Sequence, residues 1–178
     1  PVPAHLAESL PGQTLRDIDR RAKYLLLRLD RGTLIIHLGM SGSLRVLTSG
    51  TPAEKHDHID IVFGEATLRL RDPRRFGAML WHEGPDALHP LLAHLGPEPL
   101  GSDFSAAALA GALAHRRCAI KLAIMDSAVV VGVGNIYASE SLFRARIRPG
   151  KAACRLTGPQ VARLADEIRQ TLRDALAA

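Results

Sequence analysis

Between residues 82 and 100 the hydrophobic rhythm of the chain changes. Before that stretch, apolar residues come in short runs, nearly continuous in the first and alternating in the later ones. After it they recur every three to four. A strand turns successive side chains to opposite faces, whereas a helix repeats about every 3.6 residues, so the two halves form different kinds of layer. The order, strands first and helices second, predicts an α+β protein rather than an alternating α/β one.

The first half resolves into six short runs. Lys23–Leu29 ends at the turn signal Asp30-Arg31-Gly32, and Thr33–Leu38 resumes the apolar pattern, which predicts a hairpin. Ser43–Leu47 follows. In His58–Phe63, Ile59, Ile61 and Phe63 fall on one face and His58, Asp60 and Val62 on the other. Gly64-Glu65 turns the chain into Ala66–Arg71, and Ala78–Trp81 closes the series. Short strands with tight turns predict an antiparallel β-sandwich or barrel. In the second half, Asp86–Leu95 and Ser105–His115 have helical spacing, the second with Ser102-Asp103 as candidate caps. Gly96-Pro97-Glu98-Pro99 reads as a linker. A last helix is expected with Thr157 as cap, Pro159 in its first turn and one buried stripe of Val161, Leu164, Ile168, Leu172 and Leu176. The expected division is a β part over residues 1–95 and a helical part over 96–178.

The 178 residues are 47% hydrophobic and 23% charged, a globular mix that excludes disorder as the overall description. No apolar run approaches the roughly 18 residues that span a bilayer, and Pro1–Leu10 lacks the basic start and apolar centre of a signal peptide. The expectation is a cytoplasmic protein without membrane contact. With only Cys118 and Cys154, neither a disulfide framework nor a four-cysteine zinc cluster can form. The net charge of +5 is unevenly spread: residues 96–178 carry 11 Lys/Arg against 7 Asp/Glu, whereas residues 1–95 carry 12 against 11. Between Arg116 and Arg155 lie eight basic residues and only Asp126 and Glu140 as acids. That surplus fits either a polyanion partner such as nucleic acid or a solvated basic face.

Three loops carry unusual side chains. In His37-Leu38-Gly39-Met40-Ser41-Gly42-Ser43, a methionine sits at a turn, either as part of a bulge packed on the core or as an exposed apolar group. In Arg71-Asp72-Pro73-Arg74-Arg75-Phe76-Gly77, arginines surround an aromatic. Phe76 either tucks back into the sandwich or serves as a wedge that enters a base stack beside phosphate-binding guanidiniums. In Gly132-Val133-Gly134-Asn135-Ile136-Tyr137, a glycine turn precedes a helix start, which is a structural turn or a phosphate site made by free N–H groups. It fails as a dinucleotide fingerprint because Tyr137 stands where the third glycine belongs. Two helices joined by such a turn suggest a helix-turn-helix relative.

Together and in order, Arg20-Arg21-Ala22-Lys23-Tyr24-Leu25, His37-Leu38-Gly39-Met40-Ser41-Gly42, Lys55-His56-Asp57-His58, Asp72-Pro73-Arg74-Arg75-Phe76-Gly77, Leu95-Gly96-Pro97-Glu98-Pro99-Leu100 and Val131-Gly132-Val133-Gly134-Asn135-Ile136-Tyr137-Ala138-Ser139-Glu140 resemble the formamidopyrimidine-DNA glycosylases. The resemblance implies a β-sandwich followed by a helical domain with a helix–two-turn–helix motif. It implies a bacterial, nucleoid-associated base-excision-repair enzyme, usually monomeric. Such an enzyme removes oxidised purines such as 8-oxoguanine and formamidopyrimidines from duplex DNA, then cuts the strand as an AP lyase at the abasic site. By the same resemblance, Phe76 wedges into the stack, Met40 fills the vacated space and Arg74 bonds the orphaned base. Lys23 corresponds to a catalytic lysine that holds a phosphate and donates a proton in β-elimination. His56, Arg116, Lys121 and Asn135 match DNA contacts, and Glu140 matches a position close to the active site or a structural hydrogen bond.

Two departures qualify the match. The family begins Pro-Glu-Leu-Pro-Glu, with the proline as nucleophile, but Pro1-Val2-Pro3-Ala4-His5 does not fit that motif, and no catalytic role passes to Pro1. The family also holds one structural zinc in a C-terminal four-cysteine finger, for which this chain has no cysteines, so no cofactor is expected in it. The expectation is the middle of such an enzyme. The alternatives are a non-catalytic damaged-DNA-binding protein and an endonuclease VIII-type glycosylase for oxidised pyrimidines.

Overall fold

The Leu- and Ile-rich runs at 24–29 and 33–37 are nearly continuous in apolar side chains, and they become the interior strands of a sheet. In the computed structural model, which describes residues 2–177, that sheet has the order β1-β2-β3-β7 and the ranges β1 Leu15–Arg21, β2 Tyr24–Leu29, β3 Thr33–His37 and β7 Ala78–His82. The register is antiparallel throughout, with Leu26 opposite Ile35 and Ile35 opposite Leu80. A second antiparallel sheet has the order β4-β6-β5, from β4 Ser43–Thr48, β5 Asp57–Phe63 and β6 Ala66–Arg71. Leu27, Leu34, Ile36 and Met79 from the first sheet share a core with Leu70 from the second, and Leu44, Ile59, Ile61 and Leu68 pack around them. A short helix, α1 (Leu6–Ser9), adds Leu6 to the same core. The arrangement is an antiparallel sandwich.

Among the described residues seven strands form where the sequence pattern predicts six. The additional one, β1, buries almost nothing: Ile18 is exposed and Asp17, Asp19 and Arg20 face solvent. It exists because β2 has a free edge for it, with Ile18 opposite Leu27 and a bulge between Leu15 and Asp17. On β6, Arg69 points away from the core yet is buried. Its guanidinium makes paired bonds of 2.7 Å to the Asp60 carboxylate and donates to the carbonyls of Thr51 at 2.7 Å and Pro52 at 2.8 Å. That clasp ties the β4–β5 crossover to the outer face of the sheet, and the same ion pair holds the Asp60 carboxyl below the usual range.

The chain divides into two units, Pro1–Asp86 and Ala87–Ala178. In the second, α2 (Ala106–Leu113), α3 (Ile120–Met125), α4 (Asn135–Arg144) and α5 (Gly158–Ala177) surround a core of Phe104, Leu109, Ile120, Ile124, Leu142, Leu164 and Ile168 among others. Three expectations are corrected here. Asp86–Leu95 is not a helix: only Asp86–Leu88 makes a single 3-10 turn, because Pro90 bars the residue before it from helical backbone and withholds an N–H. The cap of α2 is Ser105, whose hydroxyl accepts from the Ala108 amide at 3.0 Å, rather than Ser102-Asp103. On α5, Val161, Leu164 and Ile168 are buried and Leu172 packs on the core, but Leu176 is exposed. The start of α5 is closed by Gln160, whose side-chain Oε1 accepts from the Thr157 amide at 3.1 Å.

Candidate nucleic-acid interface

In the sandwich unit, the turn after β3 and the turn after β6 meet. Gly39 stands at φ +64°, and a Cβ there would meet the Phe76 carbonyl carbon at 2.7 Å, so the two backbones touch at a residue without a side chain. The apolar groups beyond that contact face outward: Met40 is 77% exposed and Phe76 55%. Arg74 lies between them, donating from Nη2 to the Met40 sulfur at 3.7 Å, with its guanidinium carbon 4.8 Å from the centre of the Phe76 ring. Neither loop keeps its apolar side chain in the core, so the packed alternatives for Met40 and Phe76 do not hold in this structure.

Asp72 holds the pair of loops. It is 2% exposed. Oδ2 accepts from the Gly77 amide at 2.7 Å; Oδ1 accepts from the Ser41 hydroxyl at 3.1 Å and the Arg74 amide at 3.3 Å. Burial alone would raise its carboxyl, but those donors, Gly77 foremost, outweigh burial and hold it below the ordinary range. Its backbone is engaged as well: its amide donates to the His56 carbonyl at 2.9 Å, and its carbonyl pairs with the His58 ring at 3.0 Å. His56 itself is half-buried at φ +76°, and through these two bonds the segment that leads into β5 is anchored to the same residue.

Lys23 is exposed in the β1–β2 turn, which Ala22 makes at φ +54°. Across the next pair, the Tyr24 and His37 rings lie 5.2 Å apart. Burial, and then the charge of Lys23, push His37 below the ordinary imidazole value. The neutral ring uses Nδ1 to accept from the Gly39 amide at 3.1 Å, which fixes the entry to the Met40 loop.

In the helical unit, Asn135 is exposed as the first residue of α4, behind Gly134, which supplies no side-chain cap. The first intrahelical bond runs from Ala138 to the Gly134 carbonyl at 2.9 Å, so the amides of Asn135, Ile136 and Tyr137 project from the helix start. Lys121 is half-buried in the first turn of α3, its amide donating to the Pro149 carbonyl at 3.2 Å. Arg116 is committed within the unit: Nη1 meets Asp126 at 2.6 Å and Nε donates to the Ala112 carbonyl at 3.2 Å. Asp126 also accepts from the Ala128 amide at 2.9 Å, and that bond, burial notwithstanding, together with Arg116 keeps its carboxyl low. Glu140 is an exposed partner of Arg144 at 3.1 Å. The sequence motifs do not reveal the Arg116–Asp126 pair or the bond from Ser41 to Asp72, because each joins residues ten or more positions apart. Pro1 lies outside the described residues. Among those residues, no group of three or more His, Cys, Asp or Glu is placed to hold a metal ion, and Cys118 and Cys154 are exposed thiols. Among the described residues, no helix is long and apolar enough to cross a membrane.

An α+β chain with this sandwich, this loop pair and this helix start is matched by known proteins in both of its units. Residues 1–79 match the formamidopyrimidine-DNA glycosylase N-terminal domain, and residues 95–178 match the formamidopyrimidine-DNA glycosylase H2TH domain. The formamidopyrimidine-DNA glycosylase of Thioalkalivibrio sulfidiphilus is 62% identical over 99% of this chain and 66% of its own length. That of Shewanella loihica is 55% identical over 99% of this chain and 65% of its own. Among solved structures, the complex of Lactococcus lactis Fpg with an abasic-site DNA aligns at TM-score 0.89 and 34% identity, covering 97% of this chain and 65% of that one. The complex with a Fapy-dG DNA aligns at TM-score 0.89 over 97% and 66%. The chain belongs to the formamidopyrimidine-DNA glycosylase family, and it spans about two thirds of the length of the relatives it matches.

Proposed function

We propose that this chain is the lesion-gripping part of a base-excision-repair DNA glycosylase with AP lyase activity, acting on oxidised purines in duplex DNA. One observation carries the reading: Arg74 contacts both Met40 and Phe76 while both apolar side chains stand in solvent. Exposed apolar groups on clamped loops beside a guanidinium suit insertion into a base stack. A base must leave that stack before its glycosidic bond can be reached. In this reading Phe76 enters the stack, Met40 takes the vacated space and Arg74 offers its N–H groups to the base left behind. Lys23, exposed at its turn, binds the phosphate beside the lesion and carries a proton for elimination. His56, Lys121 and Asn135 contact the backbone, Asn135 with the free amides of its helix start. Arg116 contributes only the donors that Asp126 leaves. The family's structural zinc is assigned to none of these residues.

The binding claim is tested by titrating the chain with a duplex holding a tetrahydrofuran abasic-site analogue and with the same duplex undamaged. Arg74→Ala and Phe76→Ala should each weaken binding to the first more than to the second. Equal losses on both would sink the wedge assignment. The chemistry is tested apart, by borohydride trapping on a duplex with one 8-oxoguanine opposite cytosine. The expected result is salt-sensitive binding without an adduct, because Pro1-Val2-Pro3-Ala4-His5 lacks the family's nucleophile motif. A covalent adduct would assign the Schiff base to an amine of this chain.

A further inference from the structure

The contacts of Asp72 exceed what its own turn requires. A turn of this length is closed by the Gly77 and Arg74 amides alone, both within five residues. The bond to Ser41 reaches across 31 residues, to the neighbour of Met40. Among the described residues it is the one side-chain hydrogen bond to this carboxylate that comes from outside its own loop, and it joins the loop of the methionine to the loop of the arginine and phenylalanine. Every group that faces the carboxylate is a donor. An ionised carboxylate has acceptor sites for all three, whereas a neutral amide has only one oxygen and would turn an N–H₂ toward either the Gly77 amide or the Ser41–Arg74 pair. Gly77 leaves no slack for adjustment, since a Cβ there would meet Asp72 Oδ2 at 3.0 Å and the His37 carbonyl at 3.1 Å.

We propose that Asp72 is a positioning residue for DNA damage recognition: through Ser41 it fixes the Met40 loop against the Arg74–Phe76 loop, so that the three side chains present one rigid wedge. The inference rests on the reading of Met40, Arg74 and Phe76 as the inserting groups. Rigid spacing matters because a wedge that must be ordered during binding loses the conformational entropy of two loops, and that loss falls on the damaged duplex, where insertion occurs, and not on the undamaged one.

The experiment compares the unchanged chain with Asp72→Asn, Ser41→Ala, Ser41→Thr and Phe76→Ala. It reads the ratio of dissociation constants for the undamaged and tetrahydrofuran duplexes, and the salt dependence of each. Asp72→Asn should cut the ratio about tenfold, in keeping with loss of a bond to a charged acceptor. Ser41→Ala should cut it several-fold, Ser41→Thr should keep it, and the salt slope should stay unchanged because no phosphate contact is removed. If Asp72→Asn fails to fold, the two Ser41 variants decide alone. A chain that keeps its ratio in Ser41→Ala and Asp72→Asn while Phe76→Ala loses it would overturn the positioning role and leave the wedge standing. Equal weakening on both duplexes would overturn it too, as a purely structural effect. If the unchanged chain and Phe76→Ala have the same ratio, the wedge reading fails and takes this inference with it.

Discussion

At Gly39 two requirements coincide: φ is +64°, and a Cβ would lie 2.7 Å from the Phe76 carbonyl carbon and 2.8 Å from its oxygen. Gly64 has a similar φ of +57° but open space around it. Gly64→Ala should therefore cost only the left-handed backbone, about 1–2 kcal/mol. Gly39→Ala should cost visibly more and should also loosen lesion binding; equal losses in denaturant unfolding would show that Phe76 yields freely. His37 supplies the pH dependence of the same loop. Its folded value lies below the ordinary one, so in the interval below about 6.5 the unfolded chain binds the extra proton. Stability is therefore full above that pH and declines as pH falls toward the folded value. Protonation also turns Nδ1 from acceptor to donor and breaks its bond with the Gly39 amide. His37→Asn retains an acceptor without titrating, so melting temperatures across pH 5 to 8 (roughly the histidine range) should vary less in that variant. An unchanged profile would mean that another group carries it. At this scale, an apolar side chain in a turn marks the Met40 and Phe76 loops in the sequence but leaves packing and exposure open, and only the meeting of the two loops decides for exposure. Asp72 was not legible, because Asp-Pro in sequence reads as an ordinary turn and its bond to Ser41 appears only once the loops meet.

Elements show the same division between local signals and tertiary ones. β5 was readable because Ile59, Ile61 and Phe63 really do alternate inward, whereas β1 has no such pattern and owes its existence to pairing with β2. The short helix α3 hides for a different reason: Ile120, Ala123 and Ile124 are buried, but the run is only six residues long, with Leu122 exposed on its other side. Boundary chemistry was legible only to within a few residues. Both Ser102 and Ser105 have the hydroxyl that a cap needs, and only the backbone decides: Ser105 is extended at φ −131° and ψ 163°, aiming its oxygen at the Ala108 amide. Ser105→Ala should lower stability by about 1 kcal/mol, whereas Ser102→Ala should leave it unchanged. Thermal unfolding of the two variants checks this, and the reverse order would move the start of α2.

For the whole molecule the question is whether the net charge of +5 reaches a partner or is spent internally. In the basic stretch 116–155, Arg116 is paired with Asp126, and Arg144 with both Glu140 and Asp174. Among the described residues, Arg117, Lys121, Arg146, Arg148 and Arg155 make no ion pair. Internal pairing thus leaves most of the surplus facing solvent, where it can release counterions from a phosphate backbone. Each phosphate contact contributes about 0.9 to the slope of log affinity against log salt. Lys121→Ala should reduce that slope by about one contact. Arg116→Ala should reduce it less, because its guanidinium is held by Asp126 at 2.6 Å. It should instead lower the melting temperature, since Asp126 would lose the partner that balances its charge beside the Ala128 amide. Titrations of both variants at several salt concentrations separate the cases. A slope change as large for Arg116→Ala as for Lys121→Ala would mean that Arg116 leaves Asp126 for a phosphate when DNA binds. No change in either would mean that these two cations of the helical unit do not touch the backbone, and that the charged phosphate contacts must be sought among Lys23, His56 and the other arginines.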